Sequence, residues 1–476
     1  MCIFSFFSKI HNLFNAKPKV NQKNRIVLVT APSSLAPLYS SSSSESSTVK
    51  PIDVPTIPML PLGTAYIAAS LEEVGFDVKV VDLTFSMEEK YDINKVTKAI
   101  LNLEPRVIGI SSFTSTITSA YKIANAVKKE QKDTPIVIGG PHASALPHRT
   151  LDECSAIDAA IIGEGEYVFR DFVKFLLNDE LQSKPVDLKG VVFRRGNQLF
   201  GDPKPVYIEH LDSLPFPARH LFDLKKYAES SSYFNAKKFP VTSIMTSRGC
   251  PYSCLYCSRT SSGRRFRVRS PENVVRELEQ LKKAGFNEVQ IVDDDFTEDR
   301  LRILELCRLI KNKRLDMSFN LLGGIRVDKV DEELLSRMYD AGCYVIHFGV
   351  ESGDDQVLKY IRKGITAKQI KKAIQLAKRI GYKVIVYVIV GLPGSSIESE
   401  KKTISLLQEC GPDATRVSIC TPYPGSTLWE TMKDQFEGVA WDRYNESDVS
   451  NPIYISGDQT KAQLQIWMDM VGVELM

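Results

Sequence analysis

Cys250-Pro-Tyr-Ser-Cys254-Leu-Tyr-Cys257 puts three thiols within eight residues, spaced C-x3-C-x2-C, directly after a short apolar run from Val241 to Met245. Three thiolates on one tight loop can hold three irons of a cubic iron–sulfur cluster and leave the fourth iron open. A structural metal site is normally closed by a fourth ligand. A zinc ribbon needs paired C-x2-C units, and the chain has only one such pair.

Around this loop the sequence repeats a strand–helix unit. Apolar runs at Val241–Thr246, Glu288–Asp293, Met317–Leu321, Tyr344–Val350, Lys383–Val390 and Thr415–Cys420 read as strands. Between them, Ser270-Pro271 supplies an N-cap and a first-turn proline, and Thr366 with Gln369 forms a capping box. Six such units make an open, partial (β/α)6 barrel of TIM type, whose functional residues belong at the C-terminal strand ends. Upstream, strands at Ile26–Thr30, Val78–Asp82, Val107–Ser112, Ile136–Gly139 and Ala159–Gly163 alternate with helical patterns. That order predicts a doubly wound, Rossmann-like α/β domain. The divisions expected are an amphipathic, basic extension (1–24), the doubly wound domain (25–180), a connector (181–239), the barrel (240–436) and a C-terminal segment (437–476). Ser33 to Thr56 reads as a serine- and proline-rich loop. Val191–Arg194 and Gln198–Phe200 read as a hairpin inside the connector.

The strand ends carry the candidate chemistry. Asp293, Asp294 and Asp295 are adjacent carboxylates that repel one another unless a cation or ammonium lies near, or the run is simply solvated. Glu351 ends the fourth strand, where a carboxylate can bind both hydroxyls of a ribose. Gly391 and Gly394 let backbone approach a flat base, and Arg326, taken on its chemistry alone, fits a surface ion-pair partner. His347, inside an apolar strand, reads as a satisfied core histidine. No catalytic side chain is assigned.

With Tyr256 just before the last cysteine, the triad resembles the signature of the radical S-adenosylmethionine (radical SAM) superfamily, over roughly Val241 to Trp429. The resemblance implies a 4Fe-4S cluster on Cys250, Cys254 and Cys257, with S-adenosylmethionine chelated at the open iron. By the same resemblance Tyr256, Asp293, Asp294, Arg326, Glu351, Gly391 and Gly394 surround that molecule. In the first domain no G-x-G-x-x-G follows the first strand, which argues against a dinucleotide. Gly63, Ser111, Ser112, Gly139, Gly140 and His142 look like the elements of a cobalamin-binding domain. Gly163-Glu164-Gly165-Glu166 and Pro422-Tyr-Pro-Gly-Ser-Thr427 are similar to stretches of radical SAM proteins that carry such a domain; taken alone, the second is a chain-reversing turn. One departure stands out: the D-x-H-x-x-G positions hold Pro58 and Leu60, so that motif offers no histidine to cobalt.

In function, the resemblance implies a cobalamin-dependent radical SAM enzyme, most simply a methyltransferase. A 5′-deoxyadenosyl radical takes hydrogen from an unactivated carbon, which then receives a methyl from the corrinoid. A cyclase or carbon–carbon bond-forming enzyme, acting on a lipid or another substrate, is the alternative. A cobalamin or redox sensor without turnover is a third reading. The electron comes from a donor such as a ferredoxin or flavodoxin. A net charge of +3 over 476 residues gives no reason to invoke nucleic acid. The six cysteines outside the triad are scattered, as in a reducing, cytoplasmic compartment, although Cys410 and Cys420 leave a second cluster conceivable. The first 24 residues set Ile3, Phe6, Phe7, Ile10 and Leu13 at helical spacing before a run of lysines. They fit either peripheral membrane contact or docking on the protein's own surface.

Overall fold

The computed structural model describes residues 24–32, 59–86, 91–178, 188–230, 236–457 and 459–473. The expected N-terminal amphipathic helix and the loop from Ser33 to Thr56 lie outside the described residues.

Strands β1 (Arg25–Thr30), β2 (Asp77–Asp82), β3 (Val107–Ser111), β4 (Ile136–Gly139) and β5 (Ala159–Ile161) form a parallel sheet in the order β2-β1-β3-β4-β5. Period-2 alternation buries both faces. In β1, Ile26 and Leu28 enter one apolar cluster with Leu71 and Phe172, while Val27 and Val29 enter the other with Ile123 and Val127. Burial on both faces is what a sheet flanked by crossover helices requires. Beyond β5 the sheet continues antiparallel through β6 (Val191–Arg195) and β7 (Gln198–Asp202). The hairpin expected inside a separate connector is therefore the edge of the first sheet. Its Val191 and Val192 are 1% exposed, so the pairing is fixed by burial that a local turn signal does not reveal.

The second sheet is parallel throughout, in the order β8 (Val241–Ile244), β11 (Glu288–Ile291), β12 (Ser318–Ile325), β13 (Cys343–Glu351), β14 (Lys383–Val390) and β15 (Ala414–Ile419). Its helices start and stop where their caps dictate. Ser270 Oγ accepts from Asn273 N, Thr366 and Gln369 exchange both capping-box bonds, and Gly381 ends its helix in the left-handed region. Two short strands, β9 (Ser247–Arg248) and β10 (Arg267–Val268), pair antiparallel and close the base of the cysteine loop.

The chain after β15 straps the two sheets together. Trp429, Phe436, Trp441 and Tyr444 join the core of the first domain. The helix Lys461–Val473 returns to the barrel, where Leu464, Trp467 and Met468 are buried. Among the described residues no helix is long and apolar enough to cross a membrane.

Candidate functional site

The cysteine loop leaves β9 through Gly249, where both a positive φ of 80° and close backbone approach demand glycine: a Cβ there would lie 2.2 Å from Arg265 O. Several bonds then fix the loop. Gly249 N donates to Asp294 Oδ2 (2.8 Å), Leu255 N to Ile361 O (3.0 Å), Leu428 N to Leu255 O (2.9 Å) and Ser258 Oγ to Pro424 O (2.8 Å). The Pro422–Thr427 turn thus clamps the loop from one side. From the other, Thr260 Oγ1 donates to Pro141 O of the first domain (3.2 Å). The cysteine loop therefore touches the helix that follows the Gly139-Gly140 turn.

Cys250 and Cys254 are buried and Cys257 is half-buried. Burial raises the Cys250 thiol pKa and pushes that of Cys257 up to about 11. Arg259 lies close enough to oppose both shifts; its own pKa, depressed by burial, is raised on balance by the Cys257 and Cys250 sulfurs. Thiols of this kind ligate iron with release of protons. Among the described residues no three His, Cys, Asp or Glu side chains are gathered as tightly as one metal ion would require. Cys410 and Cys420 are buried free thiols raised by burial, and they form no such group either.

The three aspartates divide. Asp293 accepts from Thr246 N (2.6 Å), Thr246 Oγ1 and Ser247 Oγ (2.6 Å), which ties β11 to the start of the loop. Asp294 is taken by Gly249 N and Ser262 Oγ (2.6 Å). Asp295 is 1% exposed, and neither carboxylate oxygen has a hydrogen-bond partner. Burial and then the Glu298 charge raise its pKa to about 6; the Thr297 N–H approaches without reaching hydrogen-bond geometry. An unpartnered buried carboxylate whose charge reaches Cys250 fits the ammonium of an amino acid. Sequence reasoning singled out the run but put its weight on the first two members.

Glu351 ends β13 with φ at +63°, a conformation costly for a residue with a side chain. Its Oε1 accepts from the buried Lys363 Nζ at 2.7 Å, and its charge reaches the Tyr256 side chain. Burial and then Glu351 raise the Tyr256 pKa well above the ordinary value. Sequence reasoning missed Lys363, which stands in a turn between Arg362 and Gly364, both in the left-handed region. Arg326 is fully engaged: a two-bond fork to Asp328 (2.9 and 3.0 Å), a bond to Lys363 O (2.8 Å), and a stack over the Tyr252 ring at 3.7 Å. It therefore holds the Lys363 turn against the cysteine loop. Gly391 N donates to Glu400 Oε1 (3.1 Å), and a Cβ on Gly391 or Gly394 would press on Leu464 or the Tyr360 ring. His347 bonds Tyr387 OH through Nδ1 (2.7 Å), a satisfied interior histidine.

In the first domain, Ser111, Ser112, Gly139 and Gly140 meet at the C-terminal ends of β3 and β4, where Ser112 N donates to Gly139 O. Gly140 has φ at +103°, and a Cβ there would lie 2.3 Å from Ser112 O. Ser112 Oγ is buried without a partner, and a Cβ on the exposed Gly63 would meet nothing. An open glycine and an orphan hydroxyl on this face leave room and polarity for a corrinoid tail. His142 does not face that space. It is fully buried, bonds Thr114 Oγ1 (3.3 Å) and meets Trp441 edge-on at 4.7 Å.

Residues 244–407 match the family model of the radical SAM superfamily, and residues 53–173 match that of the B12 binding domain. An uncharacterized methyltransferase of Pyrococcus horikoshii is 33% identical over 375 residues, covering 78% of each chain. An anaerobic magnesium-protoporphyrin IX monomethyl ester cyclase of Rubrivivax gelatinosus is 28% identical over 81% of this chain and 68% of its own. The solved structure of a radical S-adenosylmethionine methyltransferase from Kitasatospora setae, with cobalamin and a [4Fe-4S] cluster bound, shares the fold. It superposes with a TM-score of 0.71 at 16% identity, over 94% of this chain and 91% of that one.

Proposed function

The chain belongs to the radical SAM superfamily, in the branch that carries a B12-binding domain, and from that premise we propose that it methylates an unactivated carbon of its substrate. The observation that carries the proposal is the contact of Thr260 with Pro141, which brings the cysteine loop against the cobalamin-binding face. When bound, the cluster supplies the electron that cleaves the S-adenosylmethionine sulfonium, and the corrinoid supplies the transferable methyl group.

The residues of this chain hold and shield those groups. Cys250, Cys254 and Cys257 would ligate the cluster, and Asp295 would take the ammonium of S-adenosylmethionine. Glu351, steadied by Lys363, would take its ribose, with Tyr256 beside it. Asp293, Asp294 and Arg326 shape the loop around that site through the bonds they already make. Gly63, Ser111, Ser112, Gly139 and Gly140 would accommodate the corrinoid, while His142 supports the turn from behind. Holding both groups around one substrate carbon, away from water, is the protein's share of the catalysis. A ferredoxin or flavodoxin would supply the electron, and we place the enzyme in the reducing cytoplasm, touching the membrane at most through residues 1–24.

Protein purified without oxygen from a cobalamin-supplemented host, then reduced in the presence of S-adenosylmethionine, tests this reading. Bound corrinoid with formation of both S-adenosylhomocysteine and 5′-deoxyadenosine is the expected result. Formation of 5′-deoxyadenosine alone by corrinoid-loaded protein would favour the cyclase reading. Failure to form it would leave a sensor.

A further inference from the structure

We infer that Glu164 and Glu166 are positioning residues which, through Arg248 and Arg267, fix the B12-binding domain against the root of the cysteine loop and so set the spacing of corrinoid and cluster. This inference rests on the reading above that both groups act in one reaction.

The two carboxylates follow β5, on the first domain. Glu166 Oε1 accepts from Arg248 Nη2 at 2.6 Å, and Glu164 Oε2 accepts from Arg267 Nη1 at 2.7 Å. Arg248 Nη1 lies 3.4 Å from Glu164 Oε1, an ionic contact. All four side chains are 7% exposed or less. Arg248 and Arg267 face each other across the β9–β10 pair that closes the cysteine loop, and Arg248 stands two residues before Cys250. The network thus grips the loop at its base.

On the other side the same segment reaches the corrinoid face. Gly163 N donates to Ser144 Oγ (3.0 Å), and Ser144 N donates to Gly140 O (3.0 Å). A continuous set of bonds therefore runs from the Gly139-Gly140 turn through Glu164 and Glu166 to Cys250. The connector is locked into it as well, because Ile208 N donates to Glu164 Oε2 and Ile208 O accepts from Arg267 Nη1 (2.8 Å).

Burying four charges is a poor way to gain stability, since desolvation offsets most of the attraction. It is a good way to fix a register. An apolar joint tolerates sliding, whereas a planar guanidinium shared between two carboxylates, as Arg248 is between Glu166 and Glu164, fits in few geometries. Two groups that must act on one carbon need such a joint, because a misplacement of about 1 Å can cost about a hundredfold in rate.

The test uses holoenzyme carrying both groups, with Glu166→Gln as the first variant. Pulsed EPR would read the magnetic coupling between the cobalt(II) corrinoid and the one-electron-reduced cluster. The wild type should give one narrow coupling. The variant should keep its corrinoid and iron, broaden that coupling, and lose S-adenosylhomocysteine formation about ten- to a hundredfold. Its 5′-deoxyadenosine formation, which needs only the cluster side, should stay within about twofold of the wild type. Glu166→Asp should recover part of the coupling. If Glu166→Gln does not fold, Arg248→Lys, which keeps the charge but cannot span Glu164 and Glu166 with two nitrogens, makes the same decision. Loaded variants with wild-type coupling and wild-type product ratio would overturn the inference and leave the proposed function standing. Wild-type protein that takes up no corrinoid would overturn both.

Discussion

Lys363 Nζ lies 2.7 Å from Glu351 Oε1, and both side chains are 9% exposed, at a strand end whose backbone is held at φ +63°. A buried lysine keeps its charge at a cost, and here the Glu351 carboxylate outweighs burial and raises the Lys363 pKa. The pair therefore holds the Glu351 side chain in place at the barrel mouth.

Glu351→Gln should raise the KM for S-adenosylmethionine in 5′-deoxyadenosine formation about ten- to a hundredfold, the value of one hydrogen bond to a charged acceptor, with iron content unchanged. Lys363→Met leaves a buried carboxylate alone and should lower stability by about 3–5 kcal/mol in chemical denaturation. The double variant should be less destabilised than Lys363→Met by itself. Equal losses would mean the two side chains do not share an energetic contact.

Neighbouring aspartates should fail in different ways. Asp293→Asn removes an acceptor with three donors and should lower apo-protein stability by on the order of 3 kcal/mol. Asp295→Asn removes a carboxylate with no partner, so apo-protein stability should hold or rise while affinity for S-adenosylmethionine falls. Thermal unfolding beside equilibrium binding separates the two. Loss of stability in Asp295→Asn without loss of binding would remove it from the site.

How far the sequence foretold this arrangement depends on the range of each interaction. The strands announce themselves through local alternation, and the cysteine triad through spacing that survives any fold. β6 and β7 were legible as a hairpin, but their attachment to β5 depends on pairing between Ala160 and Val192, which no local pattern carries. Trp429, Trp441 and Tyr444 are scattered through an unremarkable C-terminal stretch, so their return to the first domain was invisible. Arg248 carries no signal in the sequence beyond its place just before the cysteine loop. Its partners at Glu164 and Glu166 come from the other domain, and only folding brings them within reach.

Two glycines of the first domain make a matched control. Gly140→Ala meets Ser112 O in a left-handed conformation and should cost about 1–3 kcal/mol. Gly63→Ala points into open space and should stay within about 0.5 kcal/mol of wild type. If the corrinoid lies across that space, Gly63→Ala will still hold less of it, read as corrinoid absorbance per protein after gel filtration. Undiminished retention would put the corrinoid elsewhere on the domain.

Acid should loosen the contact between the first domain and the C-terminal strap through His142. Burial holds the His142 pKa at about 4, below the ordinary 6.5; Arg149 adds to this effect and Glu153 opposes it. The folded state therefore keeps the ring neutral where the unfolded chain binds a proton. Stability contributed by the neutral ring is complete above about pH 6.5 and is lost as pH falls toward 4, a total on the order of 3 kcal/mol. His347 is depressed in the same direction, to about 3, but it sits in the barrel. Trp441 lies against His142, beneath the Arg149 guanidinium, and donates from Nε1 to Glu153, so its fluorescence reports this joint. The urea midpoint read by that signal should fall between pH 7 and pH 4.5 in the wild type and fall less in His142→Gln, which has no proton to gain. Parallel slopes for the two proteins would show that the ring is already charged in the fold or that acid acts elsewhere.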